Sequence, residues 1–225
     1  MTTKTRARYG AVAVATAPVV MAVAFVAHPF IARMPDADAI ATAVDANRAG
    51  WIAVHLITVL GIALIALAFV AIRARLRDAG EDRYSAWALP WVLFGSFLYG
   101  FLPGLEFTPV AVARIGGDVT AAQDALTSVF IPILLVGGVS FAIGTIGFAR
   151  AVIASGILGT SLSRVVAAAL ILLAISRIVP VGAVQFYVQA AVGLVALWPL
   201  ANDIWRSATS DRSSTVTPRR SAASL

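Results

Sequence analysis

The sequence predicts an all-α polytopic membrane protein, a bundle of six transmembrane helices with both termini in the cytoplasm. Of its 225 residues, 60% are hydrophobic and only 12% are charged, and the mean hydropathy is +0.91. An ordinary soluble domain has about 25% charged residues. This composition excludes a soluble enzyme, a disordered chain and a secreted disulfide scaffold. The chain contains no cysteine, which also excludes thiol nucleophiles and thiolate zinc sites.

Long intervals without charge predict where the chain crosses the membrane. A helix needs roughly 20 apolar residues to cross a hydrocarbon layer about 30 Å thick. Four intervals of that length are residues 9–27, 49–72, 84–105 and 125–149.

A fifth interval, residues 165–202, holds a single charge and is much too long for one crossing. Pro180 to Gly182 interrupt it with residues that break a helix and favour a reversal, so this interval is predicted to form a helical hairpin. The six predicted helices are residues 10–28, 51–73, 84–104, 125–149, 163–179 and 183–204.

The basic residues predict the orientation of these helices. Of the 17 Lys and Arg residues, only Arg33, Arg48 and Arg114 fall in the loops on one side, and Arg177 falls within a span. The other 13 lie on the opposite side, which the positive-inside rule assigns to the cytoplasm. The net charge of +6 therefore reflects membrane topology and does not indicate nucleic-acid binding. We expect the protein in the cell membrane, in contact with the lipid bilayer.

The first outer loop is expected to contain a short surface helix. Asp36 is a suitable N-cap, and Ile40 and Val44 lie one helical turn apart. On the inner side, the second transmembrane helix should continue through three arginines and stop at Gly80. A transmembrane domain over residues 1–206 would then be followed by a disordered, basic cytoplasmic tail.

The tail is predicted over residues 207–225, which are rich in Ser, Thr and Arg.

The first helix has an alternative interpretation as a signal peptide, with a cleavage pattern at residues 22–24. Thr120 and Gln123 form a capping-box pattern that would start the fourth transmembrane helix.

Small residues predict close contacts between helices. Gly100 and Gly104 in the third span, and Ser140 and Gly144 in the fourth, have the four-residue spacing that lets membrane helices approach closely. We interpret both pairs as contacts inside the bundle; dimerisation is the alternative.

The polar residues within the spans are concentrated near their outer ends. Polar side chains at membrane depth are costly, so each invites a functional hypothesis. The candidate ligand-binding residues are His28, His55, Tyr99, Glu106, Arg177, Gln185 and Gln189. They predict an outward-facing pocket beneath the loop helix, which holds a small polar or anionic ligand against the arginine.

Arg177 is the only formal charge well inside a predicted span, and two orientations are open to it. Its side chain could extend outward to the lipid headgroups. It could instead point into the bundle and pair with Glu106. Two other hypotheses concern His28 and His55. The two histidines could be the axial ligands of a b-type haem, or they could form a zinc site together with Glu106.

No enzyme motif accompanies these residues, and we predict that the protein is not an enzyme. The favoured function is small-ligand binding or transport through the outer pocket. The alternatives are a structural or accessory subunit of another membrane protein or of a homo-oligomer, and a haem or metal protein.

Two short motifs of the sequence allow a comparison with other membrane proteins. Trp51 and His55 form a W-x-x-x-H start to the second helix, and the final hairpin ends in Trp205 and Arg206. In this the chain resembles the uncharacterised small multi-span integral membrane proteins of actinobacteria. The resemblance implies no activity and no functional residues.

Overall fold

The computed structural model of the protein describes residues 2–210, and this part of the chain is a helical bundle. The helices are α1 (Thr3–Ala27), α2 (Ala37–Ala46), α3 (Arg48–Asp78), α4 (Tyr84–Leu105), α5 (Thr108–Arg114), α6 (Val119–Ser155), α7 (Thr160–Ser176) and α8 (Gln189–Ser210), with a π-helical turn over Val184–Val188 before α8.

Within residues 2–210, five helical stretches are long and apolar enough to cross a membrane. They are Thr3–Ala27, Arg48–Asp78, Tyr84–Arg114, Val119–Ser155 and Val184–Thr209. Helix α7 is also apolar but has 17 residues. The prediction of an all-α bundle with several apolar helices is therefore confirmed.

Side chains on the facing sides of the long helices form one extended core. Helix α1 packs against α3 and α8, α4 packs against α6, and α7 lies between α6 and α8. Phe69 of α3 contacts Phe141 and Phe148 of α6, with ring centroids 5.8 and 4.8 Å apart. A second, smaller core at the end of the bundle where α2 and α5 lie is formed by Ile31, Ile40, Val44, Trp51 and Val110.

The loop helix predicted between the first two spans is present as α2. The Asp36 carboxylate accepts a hydrogen bond from the backbone N–H of Ala39, as expected of an N-cap. Ile40 and Val44 are buried. At the other end of the bundle, α3 ends at Asp78, and Gly80 has a φ of +90°, which confirms the predicted stop.

The start of α6 was predicted wrongly. The helix begins at Val119, where Asp118 accepts a hydrogen bond from the N–H of Ala121. The capping box expected of Thr120 and Gln123 does not form, because an aspartate two residues earlier already supplies the cap. Sequence reasoning also missed α5, a seven-residue helix between α4 and α6.

The Gly100 and Gly104 pair does not form the expected contact inside the bundle. A Cβ placed on either glycine would meet no atom within 4 Å. The close approach of α4 and α6 instead involves Gly95 and Gly144, where an added Cβ would overlap backbone atoms of the facing helix. Gly144 thus makes a close contact inside the bundle, as predicted, and its partner is α4.

The helical hairpin predicted over residues 165–202 is confirmed, because α7 and α8 pack against each other on either side of a reversal. Helix α7 ends at Ser176, and the N–H of Gly182 donates to the carbonyl of Ala32 at 2.9 Å. A Cβ on Gly182 would overlap the carbonyl oxygen of Ile31, so this close approach requires glycine. Helix α8 continues through Ser210, past the predicted start of the tail at residue 207, and residues 211–225 lie outside the described part of the chain.

Candidate functional site

A cavity of about 100 Å³ lies inside the bundle at the end that carries α2 and α5. Its volume is enough for several water molecules or a small solute. Apolar side chains such as Met21, Phe25, Ile62 and Phe186 form much of its wall. All seven candidate residues also line it: His28, His55, Tyr99, Glu106, Arg177, Gln185 and Gln189.

Arg177 follows the last residue of α7, and its side chain turns into the bundle. Only 2% of the residue is exposed, so the interpretation that it extends to the lipid headgroups is wrong. Its guanidinium carbon lies 3.7 Å from the ring centroid of Phe141 and 4.7 Å from that of Tyr99. The Tyr99 hydroxyl donates a hydrogen bond to the Arg177 carbonyl at 2.7 Å, which fixes the end of α7 against α4.

The Arg177 guanidinium has no counter-ion among residues 2–210. The second alternative is correct about the inward orientation, but the ion pair with Glu106 does not form. The buried Nε and Nη1 atoms have no hydrogen-bond partner among the described residues. Aromatic faces attract a cation, but they accept none of the directed hydrogen bonds that a guanidinium can donate. Arg177 therefore retains unused donors beside the cavity.

Two backbone carbonyls orient the imidazole rings of His28 and His55. His28 Nδ1 lies 2.7 Å from the carbonyl oxygen of Pro29, and His55 Nδ1 lies 2.7 Å from that of Trp51. A carbonyl oxygen only accepts hydrogen bonds, so each Nδ1 carries the proton. Each neutral ring then offers Nε2 as a hydrogen-bond acceptor. The ring centroids are 5.2 Å apart, and burial lowers the pKa of His28 below its ordinary value of 6.5.

Glu106 joins three helices at the same end of the cavity. Its backbone carbonyl accepts a hydrogen bond from Trp51 Nε1 at 2.8 Å, and its Oε2 accepts one from Gln123 Nε2 at 3.0 Å. Gln123 is thus a supporting residue that sequence reasoning missed. The sequence analysis assigned Gln123 to a helix cap. In the structure its side-chain amide is buried and binds the carboxyl group of Glu106.

Gln185 and Gln189 reach the cavity from the chain at the start of α8. Gln185 lies in the π-helical turn, and Gln189 is the first residue of α8. Such turns widen the helix by one residue and often occur at functional sites. In the described part of the chain, neither side-chain amide is hydrogen-bonded to another residue, so both remain available to a solute.

The residues do not form the predicted haem or zinc site. The rings of His28 and His55 contact each other at 64°, so there is no slot between them for a macrocycle, and the cavity itself is small. No group of three or more His, Asp or Glu side chains suitable for a metal ion occurs in residues 2–210, so Glu106 does not complete a three-ligand site with the histidines.

The arrangement is suited to holding a small polar molecule. It combines free donors on Arg177, acceptors on the imidazoles and on Glu106, and two free amides inside an apolar wall. A mostly apolar pocket with a few convergent polar groups is the usual form of a small-molecule site.

No protein-family model matches the chain, and neither the curated proteins nor the solved structures contain a significant match to it.

Proposed function

We propose that the protein is a six-span membrane protein that binds a small anionic ligand in this outward-facing cavity, either to retain it or to pass it across the membrane. Both termini would lie in the cytoplasm. The observation that carries the proposal is the buried, unpaired guanidinium of Arg177 at the cavity wall.

The sixth span would be α7. At 1.5 Å per residue its 17 residues extend about 26 Å, close to the ~30 Å hydrocarbon layer, and a turn of the chain continues through Val179. The helix packs between α6 and α8, each of which is long enough to span. A position between two spanning helices supports a sixth crossing.

The cavity would face the exterior because of the charges at the opposite end of the bundle. Arg73, Arg75 and Arg77 lie at the end of α3 that is distant from α2, and basic residues prefer the cytoplasmic side. His55 lies near the start of the same helix and lines the cavity.

An anion is the expected ligand because burying an unpaired cation is costly. Removing a charge from water costs several kcal/mol unless hydrogen bonds and an opposite charge compensate for it. An anion that accepts hydrogen bonds from the free guanidinium atoms supplies both. The forked arrangement of guanidinium donors is particularly suited to carboxylate and phosphate oxygens.

Ligand binding can be tested on the full chain purified in detergent. Acetate, propionate, phosphate and nitrate would be titrated by calorimetry and by thermal shift. We expect at least one of these anions to bind, and Arg177→Met to abolish that binding. Arg114→Gln is the matched control, since it removes an exposed arginine near the same end of the bundle. Failure of all four anions to bind, or equal binding by both variants, would contradict the proposal.

The topology can be tested with single cysteines, because the natural chain has none. Ala46, the last residue of α2, and Ala79, the residue that follows α3, are both exposed and lie beyond opposite ends of α3, so each would be replaced by cysteine in turn. In intact cells, a membrane-impermeant maleimide should label the first and leave the second unlabelled until the membrane is permeabilised. The reverse pattern would place the cavity on the cytoplasmic side.

A further inference from the structure

The two ends of the cavity carry opposite hydrogen-bonding character, and this narrows the class of ligand. We infer that the ligand is a small zwitterion, an amino acid in the broad sense, whose acidic group lies at Arg177 and whose ammonium group lies at His28, His55 and Glu106. The inference rests on the proposed function and specifies the substrate class for that same cavity.

The donor end lies deep in the bundle. The Arg177 guanidinium stacks on Phe141, which in turn contacts Phe69 in the central core. A smaller space next to the cavity is lined by Arg177 together with Pro18 and Ile65, which lie well inside α1 and α3. The guanidinium group therefore lies on the inner side of the cavity, and its unpaired Nε and Nη1 are donors only.

The acceptor end lies toward the outer loops. His28 follows the last residue of α1, and His55 lies in the second turn of α3. Both rings have Nδ1 occupied by a backbone carbonyl and are left with Nε2 as an acceptor. Glu106 has one carboxyl oxygen bound by Gln123, and its other oxygen has no hydrogen-bond partner among the described residues. These three acceptors lack a donor.

The length of the cavity fits a small molecule with two charged groups. The cavity extends along α3 from His55 to Ile62, a rise of about 10 Å at 1.5 Å per residue. Apolar side chains such as Met21 and Phe25 also line the cavity and suit a short hydrocarbon linker.

A simple anion or a simple cation would satisfy only one end. An acetate ion at Arg177 leaves the imidazole acceptors and the carboxyl group of Glu106 facing an apolar methyl group, and buried polar groups without partners are unfavourable. A simple amine at the acceptor end leaves the guanidinium unpaired. A zwitterion supplies an acceptor to the first end and donors to the second.

The test compares matched pairs of ligands that differ only by the ammonium group. Acetate would be compared with glycine, propionate with β-alanine and butyrate with 4-aminobutyrate, by calorimetry on the full chain in lipid nanodiscs. In at least one pair, the zwitterion should bind about 10- to 100-fold tighter, which is the ratio expected for one or two charge-assisted hydrogen bonds. The pair with the largest ratio gives the separation of the two ends.

The variant Glu106→Gln tests whether the ammonium group of the ligand binds at the acceptor end of the cavity. Glu106→Gln retains an oxygen that can accept from Gln123, so the local hydrogen bond is preserved. We expect this variant to lose most of the preference for the zwitterion while it still binds the plain carboxylate. Arg177→Met should lose both ligands.

The outcomes separate the inference from the proposed function. If neither the plain carboxylates nor the zwitterions bind, the zwitterion assignment fails, and the proposed function fails with it when phosphate and nitrate also do not bind. If acetate, propionate or butyrate bind and the ammonium group adds nothing in any pair, only the zwitterion assignment fails. Unchanged preference in Glu106→Gln would also overturn the assignment, because the acceptor end would then have no part in recognition.

Discussion

The contact between α4 and α6 yields a sharp prediction for the substitution Gly95→Ala. A Cβ at position 95 would lie 2.5 Å from the backbone nitrogen of Phe141 and 2.7 Å from the carbonyl oxygen of Gly137. These are backbone atoms in the middle of α6, and they cannot rotate away as a side chain would. Reaching an ordinary van der Waals distance of 3.4 Å requires the helices to separate locally by 0.9 Å, the difference between 3.4 and 2.5 Å.

The cost of that separation follows from packing energetics. A gap of 0.5–1 Å removes about a quarter to a half of each van der Waals attraction across an interface. Overpacking of this kind typically costs about 1–3 kcal/mol, and we expect the upper end because the neighbours are backbone atoms. Alanine also stabilises a helix relative to glycine by about 1 kcal/mol, which partly offsets the cost.

Gly100→Ala is the matched control for this substitution. It lies in the same helix, makes the same chemical change and places its Cβ in open space. The gain in helix propensity cancels between the two variants, so their difference reports the steric cost alone. A difference of about 3 kcal/mol corresponds to roughly 6–12 °C in the unfolding midpoint of a chain of this size.

The assay is thermal unfolding of both variants in the same detergent, followed by intrinsic fluorescence. We expect Gly95→Ala to unfold at a clearly lower temperature than Gly100→Ala, and Gly100→Ala to match or exceed the natural chain. Equal midpoints for the two variants would show that α4 and α6 are not in backbone contact at Gly95.

Two further predictions concern charge. Burial lowers the pKa of His28 below 6.5, so the unfolded chain binds more protons than the folded one between the folded pKa and 6.5. The contribution of His28 to the free energy of unfolding should therefore be complete above pH 6.5 and be lost as the pH decreases below it. Unfolding midpoints measured from pH 8 to 5 should decrease less steeply toward low pH in His28→Gln than in the natural chain. An unchanged pH dependence would show that His28 is not buried in its neutral form. The ion pair of Arg75 with Asp203 joins α3 to α8 at 2.8 Å, and both side chains are about four-fifths buried. Asp203→Asn should lower the free energy of unfolding by up to about 1 kcal/mol. Asp78→Asn removes an exposed ion pair with Arg77 and should leave the unfolding midpoint nearly unchanged. Equal unfolding midpoints for the two variants would contradict this reasoning.

The sequence was informative about the site because membrane burial leaves polar residues few and conspicuous. With 12% charged residues, every polar side chain within a span stands out, and seven of them could be assigned to one end of the bundle by counting along helices. The loop helix α2 could also be predicted, since Asp36 as an N-cap and the spacing of Ile40 and Val44 are local features of the chain.

The partners of those residues depended on tertiary packing. Nothing local to Arg177 indicates that its guanidinium lies on Phe141 instead of pairing with Glu106 or reaching the headgroups. The role of Gln123 could not be read from the chain either, because its amide meets Glu106 only when α6 packs beside the end of α4. Likewise, only the relative rotation of α4 and α6 determines that Gly95 contacts the neighbouring helix and Gly100 does not.

The helical class, the apolar stretches and the candidate polar residues could thus be predicted without a structure. They follow from hydropathy and from spacing along one chain, which are properties of each helix alone. Helix packing determines which of those polar groups form hydrogen bonds with each other and which remain free. Donors and acceptors far apart in sequence meet only after the helices pack, so the unpaired guanidinium of Arg177 and the free acceptors opposite it became visible only in the folded bundle.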